Sequence, residues 1–244
     1  SISASTTCRF CCFRLPGNWG SYCKPLDVLS ETTSQKGVKA MPKTDGSGQA
    51  RTLSPQQLDQ LLDAAPSPDH RALWAVMRFT GSRVTESLKL RWSAIHEDRI
   101  VFIKKTTKTK TTREPLIDHQ LQAELNIYRK SWVSKHGKEP TGKDLLFPGR
   151  FGLAEPMTRQ WADEILRKTI ARIGLPSGCS LHSFRRSLAT RMASQGIGLK
   201  TVCRFTGHKS LEQLSRYIDV SPEDERKASE KVMKNEKDSF SNLS

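Results

Sequence analysis

The stretch Leu181-His182-Ser183-Phe184-Arg185-Arg186-Ser187-Leu188-Ala189-Thr190 reads as part of a helix over 181–194. On such a helix His182 and Arg185 stand three residues apart and share one face. An imidazole and a guanidinium placed together can hold a phosphate and accept a proton. The chain has six His and forty Lys+Arg, so one such pair arises readily by chance. Its meaning depends on what surrounds it.

Outward from this stretch the chain is mostly helical. Ser54-Pro55-Gln56-Gln57 is a helix start, with an N-cap Ser, Pro in the first turn and Gln three residues after the cap. Leu58, Leu61 and Leu62 follow at helical spacing. A second helix is expected over 70–79, with Leu73, Val76 and Met77 on one face. Gly81 breaks it, and another begins at Arg83. Asp118 caps a helix to about Val133. Thr158 caps one to about Ile173, which Gly174 ends. Helices over 181–194 and 199–206 follow, and Ser221-Pro222-Glu223-Asp224 opens a last, polar one.

The one convincing β segment is Ile100-Val101-Phe102-Ile103, with 114–117 as its return strand. Between them lie Lys104, Lys105, Lys108, Lys110 and Arg113, five cations in ten residues. Their bland reading is a solvated charged turn. The alternative is a loop entering a DNA groove, with the interleaved Thr hydroxyls on phosphates. The fold class expected is mainly α with a small antiparallel β-sheet, α+β.

The first fifty residues are different. They are rich in Ser, Thr, Gly and Cys, show no period, and end in a linker at Asp45-Gly46-Ser47-Gly48. Cys8-x-x-Cys11 has half of a zinc-site spacing, but Cys12 and Cys23 supply no matching second pair, and no His lies nearby. A disordered leader is the expectation, with no metal. Met41 shortly precedes the regular pattern and is read as the native start. Residues 1–40 hold five Lys/Arg and two Asp/Glu, so the net charge of +15 belongs mainly to residues 41–244. That excess points to a polyanion, nucleic acid first. No run of about 18 apolar residues exists, so no spanning helix and no membrane partner are expected.

Three further pieces could carry chemistry. Thr80-Gly81-Ser82-Arg83-Val84-Thr85-Glu86 places Arg83 at a helix start, where free N–H groups and a guanidinium fork suit a phosphate, and Glu86 could orient Arg83 from the next turn. Gly207-His208 is followed nine residues later by Tyr217. A tyrosine oxygen can attack phosphorus, but with an ordinary pKa of about 10 it needs nearby cations or a base. Each piece alone has a common structural explanation.

In order and spacing, however, these pieces resemble the tyrosine recombinases, the phage integrase family. The matching segments are 80–86, 181–190, Thr206-Gly207-His208-Lys209-Ser210 and Arg216-Tyr217, and the resemblance covers about 53–220. It implies a 51–220 catalytic domain with a polar helix or tail at 221–244. It implies strand cleavage through a 3′-phosphotyrosine, with no cofactor, metal or ATP. By position, Tyr217 would be the nucleophile. Arg83 and Arg185 would clamp the non-bridging oxygens, and His182 would act as base or donor near the tyrosine. His208 would hold a non-bridging oxygen, and a hairpin lysine would protonate the leaving 5′-oxygen. Lys108 fits that last role best, with Lys105 and Lys110 as alternatives. Lys104, Lys105, Lys110, Arg113, Arg186 and Lys209 are the expected DNA contacts.

The resemblance further implies double-stranded DNA as partner and a homo-tetramer on paired sites. It allows a DNA-bending or directionality protein, and it implies action in the cytoplasm at the nucleoid of a bacterial or phage-infected cell. Three features depart from the family pattern. Thr206 stands where Leu is usual, a position that reads as packing. Arg186 stands where His is frequent. Residues 1–50 are too few for the separate N-terminal helical domain of most members, so the chain is closer to short forms such as the fimbrial switch recombinases. Competing readings are a type IB topoisomerase and a non-catalytic DNA-binding regulator with the same fold.

Overall fold

The computed structural model describes residues 49–103 and 112–218, with positions 222, 223, 225, 226, 229 and 230. The leader cysteines, Met41, the 45–48 linker, and Lys104, Lys105, Lys108 and Lys110 lie outside the described residues.

Helix α1 (Pro55–Asp63) starts where the capping box places it. Ser54 Oγ accepts from Gln57 N–H at 3.2 Å, and Gln57 Oε1 accepts from Ser54 N–H at 3.0 Å. Helix α2 (Pro68–Thr80) begins two residues earlier than expected because Ser67 caps it and Pro68 fills the first position. It ends at Gly81, whose φ of 60° is left-handed. Leu73, Trp74, Ala75 and Val76 are all 0% exposed, so α2 is buried all round. It packs on α1, on α4 (His119–His136) and on α6 (Leu181–Ser194).

Between α2 and α4 comes the short α3 (Val84–Ser87). Asp118 Oδ1 caps α4 by accepting from Leu121 N–H at 2.8 Å, and Gly137 ends it three residues beyond the expected stop. Its buried stripe is Leu121, Leu125, Tyr128 and Trp132. Helix α5 (Arg159–Arg172) follows its Thr158 cap. Helix α7 (Leu199–Thr206) ends at left-handed Gly207, and the five-residue α8 (Leu211–Ser215) is capped by Ser210. Positions 222, 223, 225, 226, 229 and 230 are helical and exposed, with Arg226 paired to Glu223 at 3.0 Å.

The β structure differs from expectation in part. The 100–103 and 114–117 segments do pair antiparallel, through isolated bridges Arg99↔Leu116 and Phe102↔Arg113. Phe102 N–H donates to Arg113 C=O at 2.9 Å, and the reverse bond is 3.1 Å. The regular two-stranded sheet lies elsewhere, between β1 (Pro148–Gly149) and β2 (Gly152–Pro156). Those strands are short, mostly exposed and contain Pro and Gly, so they show no alternation to read.

One core spans α1, α2, α4, α5 and the start of α6. Trp74 and Phe184, both 0% exposed, stack at 6.4 Å and join α2 to α6. Such a ring pair adds about 0.5–1.5 kcal/mol beyond its burial. A second, smaller cluster of Ala189, Val202 and Leu214 holds α6, α7 and α8 together, and Tyr217 packs against it. The residues of the site sit where these two clusters meet. A Cβ at Gly81 would stand 3.1 Å from Leu188 Cδ2 and 3.3 Å from Thr206 Cγ2, so the ends of α2 and α7 approach α6 through a glycine.

Candidate active site

Helix ends bring the site together. Arg83 caps α3 just after the left-handed Gly81. Its Nη1 donates to Glu86 Oε1 at 2.8 Å, its backbone N–H to Glu86 Oε2 at 3.2 Å, and its Nη2 to Gly207 C=O at 3.4 Å. The orientation expected of Glu86 is therefore present. Burial would raise the Glu86 carboxyl, but the Arg83 hydrogen bond and the charges of Arg113 and Arg83 outweigh it. The carboxyl is held below the usual carboxylate range.

Arg185 on α6 is 1% exposed. Its Nη1 donates to Gly81 C=O at 2.7 Å and to Thr206 C=O, and its Nε to His208 Nε2 at 3.3 Å. Its Nη2 has no hydrogen-bond partner among the described residues. Burial and the neighbouring charges of Arg83 and Arg113 pull its pKa down to about 9, so it is still a cation at neutral pH. His208 is also buried, and its ring centroid lies 4.6 Å from that of Tyr217. Burial and then Arg185, Arg83 and Arg113 push its pKa down to about 3, which makes it a neutral imidazole at physiological pH.

Tyr217 follows α8. Its N–H donates to Leu214 C=O at 2.7 Å, and its C=O accepts from Thr190 Oγ1 at 3.0 Å. Its side chain enters a cleft of about 690 Å³, shared with Arg83, His182, Arg186, His208 and Lys209. Arg159 and Arg216 line it too, and among the described residues no Asp or Glu does. Sequence reasoning assigns Arg159 no role and marks Arg216 only as the neighbour of Tyr217. Arg159 directly follows the Thr158 cap and Arg216 directly precedes Tyr217, and those adjacencies are the available signals. His182 reaches the cleft from the first turn of α6, where Ser180 Oγ accepts from its backbone N–H at 3.3 Å.

Two expected DNA contacts are interior instead. Arg113 is 8% exposed and lies 4.3 Å over the Phe102 ring. It donates to Thr80 C=O at 3.0 Å, Phe205 C=O at 2.9 Å and Glu86 Oε2 at 3.2 Å. Its fork is occupied in tying the strand pair to the ends of α2 and α7. Arg186 borders the cleft but is 5% exposed, and its Nη1 donates to Ala50 C=O at 2.7 Å, pinning the incoming chain to α6. Lys209 is exposed at the cleft. Thr206 does more than pack. Its hydroxyl lies 2.6 Å from both Val202 C=O and His208 Nδ1.

Residues 51–224 match the sequence model of the phage integrase family. The chain belongs to the phage integrase family. Its relatives there include the tyrosine recombinase XerD of Corynebacterium glutamicum, 26% identical over 201 residues, which are 78% of this chain and 64% of XerD. The type 1 fimbriae regulatory protein FimB of Escherichia coli is 26% identical over 171 residues, 68% of this chain and 82% of FimB. Against the integrase/recombinase y4qK of Sinorhizobium fredii, 26% identical over 170 residues and 69% of this chain, the match spans about half of the relative's length, 52%.

Solved structures agree in fold. The crystal structure of XerA recombinase superposes with a TM-score of 0.62 at 19% identity, covering 79% of this chain and 66% of that one. XerH bound to difH substrate in a pre-cleavage complex gives 0.59 at 20% identity, covering 77% and 56%. The expected fold class, mainly α with a small antiparallel sheet, is that of these integrase-family domains.

Proposed function

We propose that this chain is the catalytic part of a site-specific DNA recombinase, with residues 51–220 forming its catalytic domain, residues 1–50 a leader and 221–244 a tail. One observation carries the reading: Tyr217, against neutral His208, faces a cleft lined, among the described residues, by five Arg or Lys and no carboxylate. An acid-free cationic cleft attracts a phosphodiester and stabilises the charge that builds on it during displacement.

In the proposed step Tyr217 Oη gives up its proton, with His182 as acceptor, and attacks the phosphorus. The P–O5′ bond breaks, a 3′-phosphotyrosine forms, and the 5′-oxygen leaves as a hydroxyl. The proton it takes comes from a hairpin lysine, Lys108 before Lys105 or Lys110. Arg83 meets the non-bridging oxygens together with Nη2 of Arg185, which is buried and has no hydrogen-bond partner among the described residues. A 5′-hydroxyl of the partner strand then reverses the reaction. The covalent link keeps the energy of the broken bond, so the cycle needs no ATP or metal.

Double-stranded DNA is the substrate, with a tetramer of this chain on two paired sites and a bending or directionality protein as accessory. The setting is the nucleoid of a bacterial or phage-infected cell. The names of relatives, tyrosine recombinase for XerD and a pre-cleavage substrate complex for XerH, support this reading. The test is covalent trapping on nicked suicide duplexes tiled across DNA flanking the gene. A denaturing-gel band on particular duplexes is expected. Relaxation of any supercoiled plasmid without site preference would favour a topoisomerase. Tight binding with no covalent band on any duplex would favour a regulator.

A further inference from the structure

We propose that Thr206 is a positioning residue of this site. Its hydroxyl holds His208 as the Nδ1–H tautomer, and His208 in turn holds Arg185. The catalytic part of the proposal rests on the recombinase reading above.

The hydrogen count decides the tautomer. Thr206 Oγ1 has one hydrogen and two close partners, Val202 C=O and His208 Nδ1, each at 2.6 Å. A carbonyl oxygen only accepts, so the hydroxyl hydrogen goes to Val202. The bond to Nδ1 then needs a hydrogen from the imidazole. His208 is neutral and carries one N–H, so its Nε2 is bare. A bare Nε2 is what the Nε–H of Arg185 requires, and that donor lies 3.3 Å away. The result is a relay in one direction, Arg185 to His208 to Thr206 to Val202. The other tautomer would set the Nε2–H of His208 against the Nε–H of Arg185, two donors facing each other.

The relay fixes a guanidinium. Arg185 Nη1 is held by the carbonyls of Gly81 and Thr206, and Nε by His208, which leaves Nη2 without a partner among the described residues. Thr206 acts on Arg185 twice, directly through its carbonyl and through His208 by its hydroxyl. His208 thus braces the phosphate-binding arginine as an acceptor. A leucine at position 206 keeps the carbonyl and the packing on Gly81 but has no hydroxyl to set the ring.

The test compares wild type, Thr206→Val and Thr206→Ser in the full chain. Long-range proton–nitrogen NMR of histidine-labelled protein without DNA reads the His208 tautomer, with His208→Asn to assign the signals. The rate of covalent complex formation on a cleaved suicide duplex reads the consequence. Wild type and Thr206→Ser are expected to show the Nδ1–H pattern. Thr206→Val is expected to lose it and to slow covalent complex formation by about tenfold, the worth of one buried hydrogen bond. A wild-type Nε2–H pattern would overturn the proposal, and that measurement requires no variant to fold. So would a Thr206→Val protein that keeps either the wild-type tautomer or the wild-type rate, or a Thr206→Ser protein as slow as Thr206→Val. If wild type cleaves no duplex, the recombinase reading fails by itself, and the NMR comparison still decides whether Thr206 sets His208.

Discussion

Arg113 Nη2 donates to Glu86 Oε2 at 3.2 Å, where the two side chains are only 7% and 1% exposed. The same carboxylate holds Arg83 through its other oxygen. Glu86 therefore needs both arginines, and the cleft needs Glu86 to aim Arg83. Removing Arg113 takes away one of the two buried cations that pair with Glu86, a loss of up to about 3–5 kcal/mol. Arg113→Met is expected to lower unfolding free energy by about 3 kcal/mol, read from the urea midpoint at unchanged slope. A change below about 0.5 kcal/mol, typical of an exposed charge, would return Arg113 to the surface role that its sequence neighbours suggest.

Gly81 accepts from Arg185 and sits at a positive φ of 60° against Leu188 and Thr206. Gly81→Ala adds a left-handed penalty of about 1–2 kcal/mol and a contact of 3.1 Å to Leu188 Cδ2. A drop in melting temperature is expected, together with slower covalent complex formation, because the Arg185 acceptor moves with the backbone. Unchanged stability would mean that this turn tolerates a side chain.

The buried His208 gives a signed pH dependence. Its folded pKa of about 3 lies below the ordinary value of 6.5. Between these values the unfolded chain binds a proton that the folded one refuses. Stability therefore rises with pH through this window, by up to about 1.4 kcal/mol per pH unit for one group. The contribution is complete above pH 6.5 and is lost as pH falls toward 3. His208→Asn is expected to flatten the stability curve between about pH 6.5 and 4 in urea titrations. Glu86, whose folded pKa is also lowered, acts in the same direction at lower pH and would remain in the variant.

Arg159 lines the cleft, and among the described residues no carboxylate lines it. If it meets a DNA phosphate, Arg159→Gln weakens binding across sequences and reduces the log–log salt slope by about 1. Fluorescence anisotropy over a salt series measures this. An unchanged slope would remove Arg159 from the DNA surface.

Much of this arrangement is legible in the residues. The capping box at Ser54, the break at Gly81 and the spacing of His182 and Arg185 are local signals, and the chain folds locally as they direct. Tyr217 and His208 meet because Gly207 turns α7 away and α8 is only five residues long. Tertiary partners are not legible. Arg113 belongs in sequence to a lysine-rich run, and only the placement of Glu86, Phe102 and two carbonyls draws it inside. Thr206 reads as packing because its hydroxyl's partner is the ring two residues on, set only after the helix has ended. The β1–β2 pair has no alternation to reveal it.

The central claim is that Tyr217 forms the bond to DNA. The direct measurement is mass spectrometry of a nuclease-trimmed covalent complex, with Tyr217→Phe as the control. A nucleotide-bearing peptide containing Tyr217 is expected from wild type, and from Tyr217→Phe no adduct despite wild-type DNA binding. An adduct on another residue, or one that persists in Tyr217→Phe, would contradict the claim.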